Sequence, residues 1–219
     1  MDVFARPTVA VLSTGNEITA PGLPLPPGHV YDVNRFTVGA VVARHGGVAV
    51  PMTAAGDSVR ELTAALDRAA AHDIIVFSGG SSVGARDLML DALRARGEIV
   101  FHGIAVRPGK PTLFGRIGET AVFGMPGNPT SCLSNAYMLL VPFLRAAARL
   151  PAWAPLTVTA PLARRIASAT GRHQFYTVRI EDGQVQRRSS HRATSPAWLT
   201  QTVSSRSPRT SAKSHRGHP

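Results

Sequence analysis

The chain has 219 residues, 44% of them hydrophobic, and a formal charge of +11, room for one large domain or for one domain and a smaller one. No apolar segment approaches the roughly 20 residues of a membrane span, and the opening MDVFARPTVAVLSTG lacks the basic n-region and cleavage site of a signal peptide, so a cytoplasmic address is expected. The charge alone would suggest nucleic acid, but seven of the 24 Lys and Arg lie from Arg187 onward with no acid among them, leaving 17 basic and 13 acidic side chains before that point.

Taken in chain order, TVAVLST (8–14) is a short apolar and β-branched run ended by Gly15, the pattern of a buried parallel strand. APGLPLPPGHVYD is too rich in Pro and Gly for a regular element and predicts a loop. VNRFTVGAVVARHGG predicts a helix stopped by a Gly pair, and VAVPMTA a second strand. Ser58 and Glu61 have capping-box spacing before an apolar helix face of Leu62, Ala65, Leu66 and Ala69. DIIVFSGG is a third strand running into a Gly/Ser loop at 79–84, followed by a helix around DLMLDALRARG. EIVFHGIAV, KPTLFG and TAVFGM are extended in character, and a helix from about Thr130 to Leu150 follows. The lone Cys132 falls in the apolar pattern of that helix and predicts inert packing.

Strands alternating with helices predict a three-layer α/β domain with a largely parallel sheet over residues 1–150. Such sheets bind ligands beyond the carboxyl ends of their strands, which places the loops at Gly15, Gly79 and Pro126 on one rim. The Pro-rich break LPAWAPL then leads into LTVTAPLARRI and HQFYTVRIEDGQVQ, a partial small β domain at 151–186 with a hairpin turn at Asp182-Gly183. Residues 187–219 form a basic tail with no apolar period, which reads as disordered.

Three loops carry candidate chemistry. SGGSSVGARD (78–87) follows a buried strand and precedes a helix, so its backbone N–H groups and the hydroxyls of Ser81 and Ser82 can face an anion; a tight turn with Asp87 capping the helix is the plain alternative. VRPGKPTLFG (106–115) holds two cations, Arg107 and Lys110, between prolines that restrict the backbone, against the alternative of a solvated basic turn. In GMPGNPTSC (124–132), Pro126 and Pro129 stiffen a corner around Asn128, and Thr130 and Ser131 open a helix whose N-terminus is a seat for an anion unless the turn is purely structural. Glu17, Asp32, Asp57 and Asp87 stand among these loops, and carboxylates beside an anion call for a divalent cation, Mg²⁺ by preference; Asp57 taken alone fits a helix N-cap.

In this order and spacing, LSTGNE, VYDVNR, SGGSSVGARD, VRPGKP and GMPGNPTS resemble the MoeA/gephyrin E-domain family, the molybdopterin molybdenumtransferases, well over about 7–150 and weakly to about 186. The MogA/MoaB adenylyltransferases and CinA-like proteins share the α/β domain; the PGNP corner and RPGKP loop favour the first branch. The resemblance implies a homodimeric enzyme that takes adenylylated molybdopterin and molybdate, releases AMP and inserts the metal with Mg²⁺ present, next to a MogA-type adenylyltransferase as a possible partner. It gives Glu17, Asp57 and Asp87 the place of the functional acids, the latter two also as Mg²⁺ ligands. Lys110, Arg107, Ser82 and Ser131 would take molybdate or phosphate. Gly79, Gly80, Ser81 and Gly84 on one loop, and Pro126, Gly127, Asn128 and Pro129 on the other, would hold the molybdopterin.

The chain departs from that family in several places. Nothing in these 219 residues is expected to match the family's two N-terminal domains, Asn16 stands where an acid is usual, and Thr177 stands where arginine is frequent, with Arg172 and Arg179 nearby. Read in a shifted frame, codon choices exist by which His191 to Arg209 spell SGDITSMAHADGFVEIPA and then Asp, similar to the family's final β domain, so the tail reads as frameshifted from near Arg187. On this reading the chain is expected to be impaired as an insertase. A non-catalytic molybdopterin-binding scaffold and an adenylyltransferase-like protein remain as alternatives, and a nucleic-acid binder ranks last because the tail lacks interleaved aromatics.

Overall fold

The computed structural model describes residues 3–53, 55–56, 58–79, 83–166, 171–187 and 201–202, with only the backbone element for 83–87 and 201–202. It divides into two compact units, one of residues 1–104 and 109–156, the other of 105–108 and the chain from Thr157 on.

The first unit is built on a six-stranded sheet. Its strands are β1 (Thr8–Thr14), β4 (Val48–Pro51), β5 (Ile74–Gly79), β6 (Glu98–His102), β8 (Leu113–Ile117) and β9 (Thr120–Met125), in the order β4-β1-β5-β9-β8-β6. A short parallel pair, β2 (Ile18–Thr19) with β3 (Val30–Tyr31), lies in the loop after β1. Every pairing among β4, β1, β5 and β9 is parallel, while β8 runs antiparallel to both its neighbours. The helices are α1 (Asn34–Arg44), α2 (Val59–Ala69), α3 (Val83–Arg94), α4 (Pro129–Asn135) and α5 (Val141–Ala147).

Both sheet faces are covered, which is why β1, β5 and β9 are near-continuous apolar runs rather than alternating ones. The alternation appears only when the faces are separated. Val9, Val11, Ile74, Val76, Phe123 and Met125 join Val38 and Val42 of α1 and Cys132, Leu140 and Leu144 from the chain of α4 and α5. Ala10, Leu12, Ile75, Phe77 and Val122 join Leu62, Leu66 of α2 and Met89, Leu90, Leu93 of α3 on the other side. The expected three-layer α/β arrangement is therefore present, with two hydrophobic layers and one sheet between them.

Local chemistry sets the ends of the helices. Ser58 caps α2, accepting from Glu61 N at 3.2 Å while its hydroxyl donates to the Glu61 carboxylate at 2.5 Å. Gly47 N donates to Val42 O at 3.0 Å past the end of α1, one bond of a Schellman ending at the Gly pair. Between α4 and α5 the chain makes one wider π turn, Ala136–Leu140, just before Pro142. Proline lacks the N–H of a regular turn and crowds the carbonyl four residues back, so a widened turn lets the helix continue through it.

In the second unit, β11 (Thr177–Glu181) and β12 (Gln184–Arg187) form the expected hairpin, with Asp182 at φ 50° and Gly183 at φ 72° in the two-residue turn. Residues 105–108 contribute β7 (Val106–Arg107), which pairs in parallel with β10 (His173–Gln174). The tail departs from expectation in two places: Arg187 ends β12 opposite Val178, and Gln201–Thr202 form β13 on Thr177 and Val178, because the second edge of β11 offers unpaired backbone groups to any extended segment. The other tail residues, and with them the reading of a shifted frame, lie outside the described residues. LTVTAPLARRI is not a strand either. Leu156 and Val158 are exposed, and among the described residues only the bridge of Leu162 with Val185 pairs the segment, through Ala163 N to Val185 O at 3.0 Å and Val185 N to Pro161 O at 2.8 Å.

Candidate functional site

The order of connections reverses between the parallel strands β1 and β5: β1 leads to β4 on one side, and β5 leads toward β6 on the other. Ligands of open α/β sheets sit outside the carboxyl ends of the strands at such a switch. A cleft opens there, lined by Thr14 and Gly79 at the ends of β1 and β5, by Met125, Pro126, Gly127 and Asn128 after β9, and by Ser131 on α4. Its farther wall comes from His102 at the end of β6 and from Gly109, Pro111 and Leu113 leading into β8.

The proline corner is held from three directions. Asn128 is the N-cap of α4, accepting from both the backbone N and the hydroxyl of Ser131 at 3.2 Å, and Pro129 occupies the first helical turn, where a missing N–H costs nothing. Asn34, 8% exposed at the start of α1, donates from Nδ2 to Gly127 O at 2.8 Å. Within that first turn Pro129 has no N–H, Ser131 N is taken by the Asn128 side chain and Cys132 N donates to Asn128 O at 2.9 Å, so the helix end offers the corner mainly its partial positive charge.

The loop of Lys110 is pinned to the same helix. Asn135, fully buried, donates from Nδ2 to Gly109 O at 2.8 Å and to Thr112 Oγ1 at 2.5 Å, and Thr112 Oγ1 donates to Gly109 O at 2.9 Å. Gly109 has φ 105°, and a Cβ there would stand 2.5 Å from the Asn135 amide, so glycine is required on both counts. Gly79 is likewise fixed, at φ 141° with its missing Cβ directed at the Thr14 carbonyl.

The sequence-derived residues divide accordingly. Gly79, Pro126, Gly127, Asn128 and Ser131 line one cleft, and Lys110 is exposed on its bordering loop between Gly109 and Pro111. Pro129 follows at the start of α4. Glu17 is half-buried after β1, its carboxylate folded over Gly15, and does not line the cleft. Arg107 belongs to β7 in the second unit, its carbonyl accepting from Phe175 N at 2.8 Å. Gly84 and Asp87 lie in α3, whose start at Val83 puts Asp87 beyond the first turn and rules out the cap reading. Asp57, Gly80, Ser81 and Ser82 lie outside the described residues. Arg179, considered for the role of a missing arginine, pairs with Glu181 at 3.0 Å, and Arg172 is exposed.

Asp32 has a structural role. At 3% exposure it accepts from Ser13 Oγ at 2.7 Å and Arg35 N at 3.1 Å and pairs with Arg35 Nε at 3.4 Å, tying the end of β1 to the start of α1. Burial first, and then the Asp32 charge, push the Cys132 thiol up to about 12, which keeps it protonated and inert as expected. Sequence reasoning missed Asn34, Thr112, Asn135 and His102. Their roles depend on contacts between distant segments; His102 alone had a local signal, at the strand end just before VRPGKP.

Among the described residues no group of three or more His, Cys, Asp or Glu is placed to hold a metal, and no helix is long and apolar enough to cross a membrane.

Fold and cleft together define a three-layer α/β protein with a ligand crevice at the switch point of its sheet. Residues 10–146 match the family model described as "Probable molybdopterin binding domain". The chain belongs to that molybdopterin-binding domain family. It is 37% identical over 182 residues to molybdopterin molybdenumtransferase 2 of Mycobacterium tuberculosis, covering 80% of this chain and 45% of the relative. It is 34% identical over 184 residues to the molybdopterin molybdenumtransferase of Haemophilus influenzae, covering 81% and 45%. The crystal structure of the molybdopterin biosynthesis MoeA protein from Pyrococcus horikoshii superposes with a TM-score of 0.75 at 40% identity, over 84% of this chain and 45% of that one. The chain thus spans a little under half the length of these relatives.

Proposed function

We propose that the cleft binds molybdopterin in the biosynthesis of the molybdenum cofactor, and that the site serves the insertion of molybdate into adenylylated molybdopterin with release of AMP. The observation that carries this reading is the capped α4 N-terminus, fixed by Asn128 and Asn34 at the switch point of the sheet and faced by the loop of Lys110. The partial positive charge of a helix N-terminus there suits a phosphate or oxyanion. The names of the relatives support the pathway and the transfer step.

In this reading the corner 126–129 and the loop at Gly79 hold the pterin phosphate, Ser131 donates to an oxyanion once its hydroxyl leaves Asn128, and Lys110 neutralises molybdate. The phosphoanhydride is cleaved by water, the P–O bond to the pterin phosphate breaking as AMP leaves, with Asp87 orienting the attacking water and Glu17 and Asp57 as further acids. Asp57 and Asp87 are the proposed Mg²⁺ ligands, and their hard carboxylate oxygens are the donors that ion prefers. When bound, Mg²⁺ supplies neutralisation of the charge between phosphate and carboxylates.

Asp87→Asn, in a protein carrying the full length of the relatives, tests the assignment. The variant is expected to bind adenylylated molybdopterin with unchanged affinity and to lose AMP release, followed by chromatography. Normal turnover would remove Asp87 from the mechanism. Binding without AMP release by the unmutated protein would favour a non-catalytic binding module.

A further inference from the structure

His102 is the only ionisable side chain that lines the cleft among the described residues. The other lining groups are apolar side chains, glycines, prolines and the neutral polar side chains of Thr14, Asn128 and Ser131. The imidazole is exposed, and it makes no hydrogen bond or ion pair with another described residue.

Its backbone, by contrast, is well fixed. His102 is the last residue of β6 and stands opposite Leu113 in the antiparallel pair with β8. The next residue, Gly103, donates its N–H to Thr112 O at 2.8 Å, and Thr112 is the residue that Asn135 holds at 2.5 Å. The side chain therefore rises from a strand end anchored to the same helix as the proline corner. It shares the β6–β8 connection with Lys110, whose carbonyl accepts from Ile104 N at 2.9 Å.

We propose that His102 is a ligand-contacting residue of this cleft, donating a ring N–H to an oxyanion of a bound phosphate or molybdate group. A solvated imidazole on a rigid strand end loses little freedom on meeting such a group, and it can donate whether neutral or protonated. Lys110 and His102 thereby make the β6–β8 side the second donor wall, facing Asn128 and Ser131. The inference rests on the proposed function, since it takes the cleft as the seat of an anionic ligand.

The test is equilibrium binding of two probes, molybdate and AMP, to the unmutated chain and to His102→Ala and His102→Gln, with thermal melting in parallel. His102→Ala is expected to melt like the unmutated chain, because the side chain is exposed, and to bind the probes about tenfold more weakly, the usual effect of losing a hydrogen bond to a charged group. His102→Gln, which restores one N–H donor, is expected to recover most of that loss. Equal binding by all three proteins would overturn the role of His102 and leave the reading of the cleft standing. No binding of either probe by the unmutated chain would overturn the reading of the cleft and the inference with it. A His102→Ala protein that melts lower and binds more weakly, with no recovery by glutamine, would mark His102 as structural and also overturn the inference.

Discussion

The two units of this chain bury their strands in different ways. In the first, six of the seven residues of β1 and all six of β9 are buried, and helices cover both faces of the sheet. In the second, the hairpin of β11 and β12 buries Val178 and Val185, while most of its other residues stay at least partly exposed. Stability follows buried apolar area, so the first unit has the means to hold loops rigidly at its rim. The second relies on backbone pairing between short strands, which is weak where few side chains are covered.

Substitutions can break or sharpen that contrast. The largest effect is expected from Leu66→Ala, since Leu66 is fully buried in the layer under α2 and α3. Chemical denaturation should show a loss of about 3 kcal/mol or more. Val185→Ala in the hairpin removes less surface from a thinner layer and should lose about 1.5 kcal/mol at most. Equal losses at the two positions would mean that the second unit is as well packed as the first. A smaller effect belongs to the rim itself: Asn128→Ala deletes the cap of α4 and should lower stability by about 1 kcal/mol, while weakening any anion bound at the corner.

The smallest expected effect depends on pH. His45, just past the end of α1, is 1% exposed, meets Tyr137 and Trp153 edge-on, and has neither ring nitrogen hydrogen-bonded among the described residues. Burial first, and then the charges of Arg145 and Arg44, hold its pKa below the ordinary 6.5. Because the folded value is depressed, the unfolded chain takes up the proton first as pH falls. The stability from neutral His45 is therefore complete above about pH 6.5 and is lost progressively below it. Melting curves from pH 8 to pH 5 should fall more steeply for the unmutated chain than for His45→Phe. Parallel curves would show that His45 does not contribute to the acid sensitivity. Asp73 adds a loss at lower pH: hydrogen bonds from the backbone and hydroxyl of Thr8 depress its pKa, so its contribution disappears as the carboxylate is protonated.

The same contrast governs what could be read from the sequence. The runs TVAVLST, DIIVFSGG and TAVFGM were legible as strands because a buried parallel sheet demands continuous apolar residues. Ser58 with Glu61, the Gly pair after Arg44 and Asp182-Gly183 were legible because each acts over a few residues. The corner at Pro126 to Pro129 was legible for the same reason. Asn34 and Asn135 were not, since one reaches Gly127 from α1 and the other reaches Gly109 from α4, and polar residues inside helical patterns carry no local mark of such partners. The pairing of β7 with β10 joins segments too distant in the chain for any local pattern to announce. LTVTAPLARRI has strand composition, but composition supplies no pairing partner, and among the described residues only the bridge at Leu162 forms.

The central claim is that the cleft at the ends of β1, β5 and β9 seats a molybdopterin phosphate. Isothermal titration of the chain with adenylylated molybdopterin tests it most directly, alongside Lys110→Ala, whose exposed side chain makes no ion pair with another described residue. Saturable one-to-one binding is expected, weakened about tenfold or more in the variant by loss of a charged contact, with unchanged melting. Absence of binding, or identical affinity in the two proteins, would contradict the account.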